Sequence, residues 1–424
     1  MKERSFWLRI GWRNLGRHRR RSVITALALA WGFAAVVVLN GIMQGMGTDF
    51  IRSGTDLMVG QLRIQHPDYE PERELWNVVG GDDGIHLPSL LDRITADPGV
   101  REASARVHGA GIVATETTSR GAMLLGVDPE REGRVTLFLQ GLTEGRVPEP
   151  GAWEVLVGSE LARQLGVAPG DEVVLVSPAS DGSLGNELFT VSGIVRTGIP
   201  EVDAAQVVLD LEDLQALLAL GRDDVHEIVA SATHPWDAPE VATRLAASLA
   251  DGGSGDGAAL EVAPWTSFRP ELVDFANLIQ GANWLILLVI FVMAAFGVAN
   301  TMLMGTFERR RELAVVKALG MRPGLIVLSV MGEALVLAIL AVGAGALLAT
   351  PLVLWLMHAP VDLTPVAGEQ MFMDTLFRFV LRVEHSWAFP LRGAVGLILT
   401  AVLAALYPAI RAVRVPAAEA LAGR

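Results

Sequence analysis

The residues best able to form strong ionic contacts are concentrated in one short stretch between two long apolar segments. This stretch, 308–320, holds three consecutive arginines, two glutamates and one of only two lysines in the chain. As a helix it places Val315, Val316 and Leu319 on one side and ends at Gly320, which is suited to stop a helix. Two interpretations stay open: a helix that docks on a soluble partner, or a basic loop that orients the neighbouring spans. The candidate docking residues are Glu308, Arg309, Arg310, Arg311, Glu312, Leu313, Val316, Lys317 and Gly320.

A single acid, Glu333, interrupts the apolar segment that follows. A carboxylate in lipid is costly, so by default such a residue faces protein or water and has a function. Alternatively, it lies only about eight residues, or about 12 Å by helix rise, from the cytoplasmic end of that segment, so contact with Arg309–Arg311 or with lipid headgroups is feasible. The sequence favours neither alternative.

The residue sets that enzymes need do not occur in this sequence. An ATPase phosphate loop requires a lysine directly after a glycine, but Lys2 stands near the start and Lys317 follows Val316. The eight histidines are scattered, cysteine is absent, and no metal-binding or nucleophile motif occurs. We therefore expect no catalytic residue, metal or cofactor on this chain, with ATP and Mg²⁺ held by a partner. A membrane-anchored enzyme is the less favoured class.

Four apolar segments are long enough to cross a bilayer as helices, which need about 20 residues. They are 23–43, 282–307, 325–357 and 393–410. The first could instead be the apolar part of a signal peptide, but it is too long and no typical cleavage site follows it. The predicted fold class is a membrane α-helical protein with four transmembrane helices and a large extracytoplasmic α+β domain.

Charge predicts the orientation, because lysine and arginine near span ends stay in the cytoplasm. Residues 1–22 carry eight basic residues, the 308–324 loop carries five and the 411–424 tail carries three. The segment 44–281 has 38 acidic and 15 basic residues, a net charge of −23. We therefore expect both termini and the loop on the cytoplasmic side of the membrane, with 44–281 and the 358–392 loop on the outer side. The acidic balance argues against nucleic acid, so the basic residues of the predicted interfacial helix in 1–22 suit anionic lipid.

Turn signals, alternating strands and short helical patterns in 44–281 predict an α+β domain that folds without disulfides. We expect two lobes with a divide near 140–150.

Three segments resemble the MacB/FtsX/LolC–LolE type of ABC transporter permease. The stretch 308–320 matches that family's coupling helix over thirteen positions, Trp12 and Arg13-Asn14-Leu15 match its entry to the first span, and Tyr407-Pro408-Ala409 matches its end. A block around Leu156–Ala162 is similar as well. The resemblance implies separate ABC ATPase subunits seated on 308–320 and a second permease, identical or different. MacB members carry a fused N-terminal ATPase, and the start of this chain favours the lipoprotein-releasing LolC/LolE branch or a stand-alone arrangement.

The resemblance implies transport of a lipoprotein or lipid-like substrate, aided by a periplasmic carrier or outer-membrane partner. Alternatives are an FtsX-type regulator of a periplasmic hydrolase and a MacB-like efflux permease. The hairpin expected at Ser177–Leu188 is short and polar, which puts a carrier-recruiting hook in doubt. The spans offer too few polar groups for an ion pathway, and we expect a substrate cavity at Ile42, Met43, Met46, Leu287 and Phe291.

Overall fold

The computed structural model describes residues 19–80, 85–251, 260–363, 365, 370–372, 375–377, 380–384 and 387–414. The chain divides into two compact units. The helical unit comprises Met1–Gly47, Ala276–Gly368 and Phe379–Arg424, and the α+β unit comprises Thr48–Phe275 and Glu369–Arg378. Most of the expected interfacial helix in 1–22 and the tail from residue 415 lie outside the described residues.

The elements are numbered here in chain order. The helices are α1 (Arg19–Asp56), α2 (Leu87–Thr95), α3 (Pro129–Val135), α4 (Ser159–Leu165), α5 (Pro200–Asp203), α6 (Leu211–Leu217), α7 (Ala238–Asp251), α8 (Trp265–Phe268), α9 (Pro270–Glu308), α10 (Arg310–Ala318), α11 (Pro323–His358) and α12 (Ala388–Arg414). The strands are β1 (Leu62–Gln65), β2 (Val100–Ala114), β3 (Ser119–Val127), β4 (Leu142–Gly145), β5 (Glu154–Gly158), β6 (Glu172–Pro178), β7 (Leu184–Val195), β8 (Gln206–Asp210), β9 (Glu227–Ala232), β10 (Glu261–Pro264), β11 (Val361–Asp362), β12 (Gln370–Phe372), β13 (Thr375–Phe377) and β14 (Val380–Leu381).

Within the described part of the chain, four helices, α1, α9, α11 and α12, are long and apolar enough to cross a membrane. They contain the four predicted spans, but α1 and α9 continue well into the segment that the sequence assigns to the outer domain. Hydropathy marks where lipid contact is favourable, whereas a helix continues as long as its backbone hydrogen bonds do. Past the apolar part of α1, Phe50 and Ile51 are buried in the α+β unit, and the Phe50 ring centroid lies 3.8 Å from that of Phe275 on α9.

Alanine dominates the core of the helical unit. Small residues allow helices to approach closely where lipid removes the usual hydrophobic drive for association. On α12 the buried positions recur every four residues, which presents one narrow face to the other helices. The buried cluster consists of Leu29, Phe33, Ala294, Val298, Met302, Val330, Ala334, Leu337, Ala338, Ala341, Leu397, Ala401, Ala405 and Ala409.

The α+β unit is built on strands β1–β10, which form one connected sheet. Six of them close into a ring in which each strand is hydrogen-bonded to the next, in the order β2, β3, β8, β5, β7, β6 and back to β2. The pairs β3–β8 and β5–β7 are parallel and the other four are antiparallel. This ring contains a buried cluster of Leu125, Val127, Phe138, Leu139, Leu156, Val195 and Val208.

The remaining part of the sheet grows from the first half of β2. There the order is β10, β1, β9, β2, and β9 pairs with β2 only up to Arg106, whereas β3 pairs with β2 from Arg106 onward. The unit therefore has two lobes that share β2. Near 140–150, where the sequence predicts a divide, the structure has β4 paired with β7. A long strand that serves both lobes leaves no turn signal at the true boundary.

Candidate functional site

The short helix α10 lies between two of the membrane-length helices and is separated from α9 by one non-helical residue, Arg309. Arg309 connects α10 to α11, since its Nη1 lies 2.7 Å from Oε1 of Glu333. Its Nε also lies 3.5 Å from Oε2 of Glu312 in the first turn of α10. Glu333 therefore contacts the arginine stretch, which is the second of the two interpretations of this residue. The acid and its partner fix the start of α10 against α11.

The other end of α10 is attached to α12. Lys317 Nζ donates a hydrogen bond of 2.8 Å to the Val413 carbonyl, and a cation at the C-terminus of a helix is also favoured by the helix dipole. Gly320 has a φ of +93°, a conformation that glycine adopts without strain, and its N–H donates to the Lys317 carbonyl. Helix α10 is thus held at one end by α11 and at the other by α12.

These attachments decide which side of α10 is available to a partner. Ala314 is buried, and Leu313 and Val316 are partly buried against the rest of the helical unit. Leu319 is 82% exposed, and the outward-facing residues are Arg311, Glu312, Val315, Ala318 and Leu319. We call these five residues the outer face of α10. An exposed valine and leucine beside charged groups form a small apolar surface with a polar rim.

The outer face includes two of the nine predicted docking residues, Arg311 and Glu312, and two more, Glu308 and Gly320, are exposed just before and just after α10. Arg309 and Lys317 form the internal contacts described above. Sequence analysis omitted Leu319 from the docking set, although its position one helical turn after Val315 on the same side indicated it.

The five residues of the expected substrate cavity do not share one environment. Leu287 is buried, and the Phe291 ring packs beside Gly396 of α12. Ile42, Met43 and Met46 are half-buried. The exposed apolar face of α9 lies at neighbouring positions, namely Trp284, Leu285, Leu288, Val289, Val292, Met293 and Phe296.

The hairpin expected at Ser177–Leu188 is present, but most of it is paired strand. Ser177 is opposite Gly185 and Pro178 is opposite Leu184, which leaves a turn of residues 179–183. The backbone N–H and side-chain hydroxyl of Ser180 in this turn donate to the carbonyls of Leu218 and Ala219. The turn is therefore fastened to the residues after α6 and does not project as an independent hook.

A buried charge cluster lies where the two lobes of the α+β unit meet. Arg106 on β2 is 4% exposed, and its Nη2 lies 2.6 Å from Oε1 of the fully buried Glu132 on α3. Arg106 Nη1 lies 3.4 Å from Oε1 of Glu227 on β9. Helix α3 presents Glu132 because Asp128 caps its start by accepting from the backbone N–H groups of Glu130 and Arg131. The sequence gives no local signal for this cluster, because its members are far apart in the chain.

Two histidines complete the cluster. His108 Nε2 lies 2.9 Å from Oε1 of Glu227. Burial alone raises the pKa of Glu227, but His108, Arg106 and Arg63 outweigh it and hold the pKa below its usual range. Burial, with the charge of His108, lowers the pKa of His226 to about 4. His226 stays neutral at pH 7, with Nδ1 accepting the His108 backbone N–H and Nε2 facing the Leu75 carbonyl.

Over the described part of the chain, no group of three or more histidines and acids has an arrangement that could hold a metal ion.

The sequence model described as "MacB-like periplasmic core domain" matches residues 22–248, more than half of the chain. The chain belongs to the MacB/FtsX-like family of ABC transporter permeases. A second model, "FtsX-like permease C-terminal", matches residues 284–417 of this permease and so includes α10, α11 and α12. The α+β unit is the periplasmic core domain of that family.

Relatives of the permease include two proteins of lipoprotein-releasing systems. Its sequence is 27% identical to the "Lipoprotein-releasing system transmembrane protein LolC" of Xylella fastidiosa, over 77% of the permease and 78% of LolC. It is 21% identical to the corresponding LolE of Haemophilus influenzae, over 79% and 80% of the two chains. The periplasmic region of MacB from Actinobacillus actinomycetemcomitans matches with a TM-score of 0.38 and 11% identity, over 52% of the permease and 95% of that structure.

Proposed function

We propose that this permease converts ATP hydrolysis on separate ABC ATPase subunits into motion of its periplasmic core domain, and that the ATPase docks on the outer face of α10. The observation that carries the proposal is the exposed apolar pair Val315 and Leu319 on a helix fixed at both ends. Family membership supports the ATPase as the partner. ATP and Mg²⁺ belong to that partner.

The attachments of α10 provide a route for force. A push on the outer face reaches α11 through the Arg309–Glu333 ion pair and α12 through the Lys317–Val413 hydrogen bond. Charge-assisted contacts of this kind are short and directional, so they transmit displacement better than apolar contacts alone. Helices α1 and α9 each supply residues to both units, so their backbones connect the membrane part to the core domain.

The test of ATPase docking is to replace Leu319 with aspartate in the full-length permease and to co-purify the ATPase in mild detergent. A buried charge at the centre of an interface costs several kcal/mol, so Leu319→Asp is expected to abolish co-purification and permease-stimulated ATP hydrolysis. The matched control, Leu319→Met, keeps the apolar contact and should behave as the wild type. ATPase recruitment by Leu319→Asp at the wild-type level would refute docking on this face.

A second pair of variants separates docking from internal support. Arg311→Ala changes the outer face, whereas Lys317→Ala removes the hydrogen bond to Val413. We expect Arg311→Ala to weaken ATPase binding and Lys317→Ala to reduce coupling while binding persists. Equal loss of binding in both variants would contradict the separation.

The cargo that the relatives' names favour is a lipoprotein, and we propose that this permease extracts one, or a similar amphiphile, from the inner membrane. The exposed face of α9 supports this proposal. Trp284, Leu288, Met293 and Phe296 offer aromatic and flexible apolar surface that suits acyl chains of varied shape. A second permease, facing the same surface, would enclose the cargo between the two chains.

Photo-crosslinkers at two adjacent residues test this cargo surface. Leu288 is 59% exposed, whereas Leu287 is 5% exposed and serves as the matched control. We expect a crosslinker at 288 to capture lipoprotein that ATP chases off, and a crosslinker at 287 to capture none. Crosslinks from 288 only to the second permease would identify a dimer seam without cargo. If the ATPase docks but no lipoprotein is captured at position 288, the result would favour a regulator of FtsX type.

The proposed orientation places both termini in the cytoplasm and the core domain in the periplasm. Reporter fusions at residue 424 and within 179–183 are expected to report cytoplasmic and periplasmic locations, respectively.

A further inference from the structure

A cavity of about 360 Å³ lies within the helical unit, between α1, α11 and α12. Its lining residues recur at helical spacing on α1 (Phe33, Val37, Asn40, Gly41, Gln44) and on α11 (Val342, Ala346, Ala349, Thr350, Val353). None of the five residues of the expected substrate cavity lines it. Nearly the whole wall is apolar, and the volume is within the range of small-molecule sites.

The cavity exists because α1 and α11 cross closely at one point and leave space beyond it. At the crossing, a Cβ on Gly345 would come within 2.5 Å of the Ala30 carbonyl oxygen. Further along, Gly41 and Gly45 allow residues 382–384 to lie on α1, and the Glu384 N–H donates to the Gly41 carbonyl. This segment closes the end of the cavity.

The rim is apolar and open to the surroundings of the helices. Trp387 is 76% exposed and Leu391 is 66% exposed. From Pro323 to Ala349 the rise of α11 is about 40 Å, so the cavity lies at the opposite end of α11 from α10. An exposed tryptophan at the end of a membrane-length helix is typical of the level of lipid headgroups.

One polar group in the wall lacks a partner. Asn40 is 5% exposed, and its Nδ2 has no hydrogen-bond acceptor among the described atoms. An unpaired buried amide donor costs free energy, and no water replaces the partner inside a bilayer. The cavity therefore presents an unpaired hydrogen-bond donor in a mainly apolar wall, whose other polar residues include Gln44, Thr350 and Glu384.

We propose that this cavity holds an acyl chain of a membrane glycerophospholipid, with an ester carbonyl oxygen of the lipid accepting a hydrogen bond from Asn40 Nδ2. An acyl ester combines a long apolar chain with an uncharged hydrogen-bond acceptor, and it is the linkage that membrane glycerophospholipids carry. The bound lipid fills the space between α1 and α11 and stabilises residues 382–384 against them. This site is separate from the α9 surface of the proposed cargo path.

The experiment uses full-length permease in lipid nanodiscs with phosphatidylethanolamine that carries a diazirine on one acyl chain. Photolysis is expected to label peptides of α1 and α11 at the cavity. Ala346→Phe places a ring in the cavity and should abolish this labelling. Leu347→Phe is the matched control, because Leu347 is 76% exposed and does not line the cavity.

A second variant tests the hydrogen bond without filling the space. Asn40→Leu is expected to lower retention of the phospholipid in native mass spectrometry about fivefold to tenfold, the equivalent of one neutral hydrogen bond. Melting curves confirm that each variant is folded, so Asn40→Leu decides the question if Ala346→Phe does not fold.

Equal labelling of Ala346→Phe and Leu347→Phe would overturn the proposal, as would unchanged retention in Asn40→Leu. Labelling by a lipoprotein acyl chain that ATP chases off would also overturn it, because the cavity would then belong to the cargo path. If the permease docks the ATPase and captures cargo normally but binds no lipid in this cavity, that result would refute the lipid proposal and leave the proposed function intact.

Discussion

The two units of this permease are stabilised by opposite means. The core domain buries an arginine, two glutamates and a neutral histidine where its lobes meet, whereas the helical unit is held by alanines and glycines that let backbones approach. In the α+β unit the charges are satisfied by one another inside a packed core. In lipid, small residues provide contact area without polar groups to satisfy. Replacing a buried charge should therefore destabilise the core domain most, whereas adding side-chain volume should destabilise the helical unit most.

The largest expected effect is in the core domain. Arg106→Met leaves Glu132 and Glu227 buried without their arginine, and breaking such a pair costs about 3–5 kcal/mol. The measurement is urea unfolding of the exported segment 44–281, which we expect to fold alone. Arg163→Met is the control, since Arg163 and its partner Glu160 are on the surface, and it should leave the unfolding midpoint nearly unchanged. Equal midpoints for the two variants would show that the cluster does not hold the lobes together.

The matching test in the helical unit adds volume. Gly345→Leu drives a side chain into the Ala30 carbonyl at the crossing of α1 and α11, and we expect a loss of about 3 kcal/mol in stability. Gly343→Leu is the control two residues away, because a Cβ there meets nothing within 4 Å. Thermal unfolding of the full permease in detergent separates them. If both variants melt at the same temperature, close packing of α1 against α11 does not stabilise the helical unit.

Acidification should destabilise the core domain through His226. Its folded pKa of about 4 is below the ordinary 6.5, so the unfolded chain binds the proton more readily. The stabilising effect is therefore full above pH 6.5 and is lost as the pH falls toward 4, by at most about 3 kcal/mol. Unfolding of 44–281 across this range checks the slope. His226→Gln should flatten it, whereas His86→Gln, at an exposed histidine, should not. If the stability of His226→Gln still falls steeply as the pH falls, other groups cause the effect.

The smallest effect concerns a polar contact within the helical unit. The Thr25 and Thr301 hydroxyl oxygens lie 2.9 Å apart across α1 and α9. Interhelical hydrogen bonds in membranes average about 0.6 kcal/mol, so Thr25→Val should change stability by only that amount. Detergent unfolding with Gly345→Leu as the reference measures it. If Thr25→Val loses as much stability as Gly345→Leu, interhelical hydrogen bonds and not close packing stabilise the helical unit.

Many features of the permease followed from local patterns. The apolar segments predicted the four long helices, because about 20 apolar residues have few other stable environments. Local patterns also predicted the mixture of strands and short helices in 44–281, and the 308–320 motif pointed to the family. The pairing of β4 with β7 near 140–150 and the role of β2 in both lobes depend on contacts between distant strands, which local patterns do not encode.

The amino-acid sequence by itself determined which segments suit lipid, which unit is acidic and which family the chain belongs to, since composition and short motifs encode those properties. Only the tertiary structure decided that Arg309 contacts Glu333, that Leu319 faces outward and that Asn40 lies unpaired in a cavity wall. It also assembled Arg106 with Glu132 and Glu227, which are 26 and 121 residues away. No local pattern specifies such contacts, because each depends on how elements distant in sequence pack against one another.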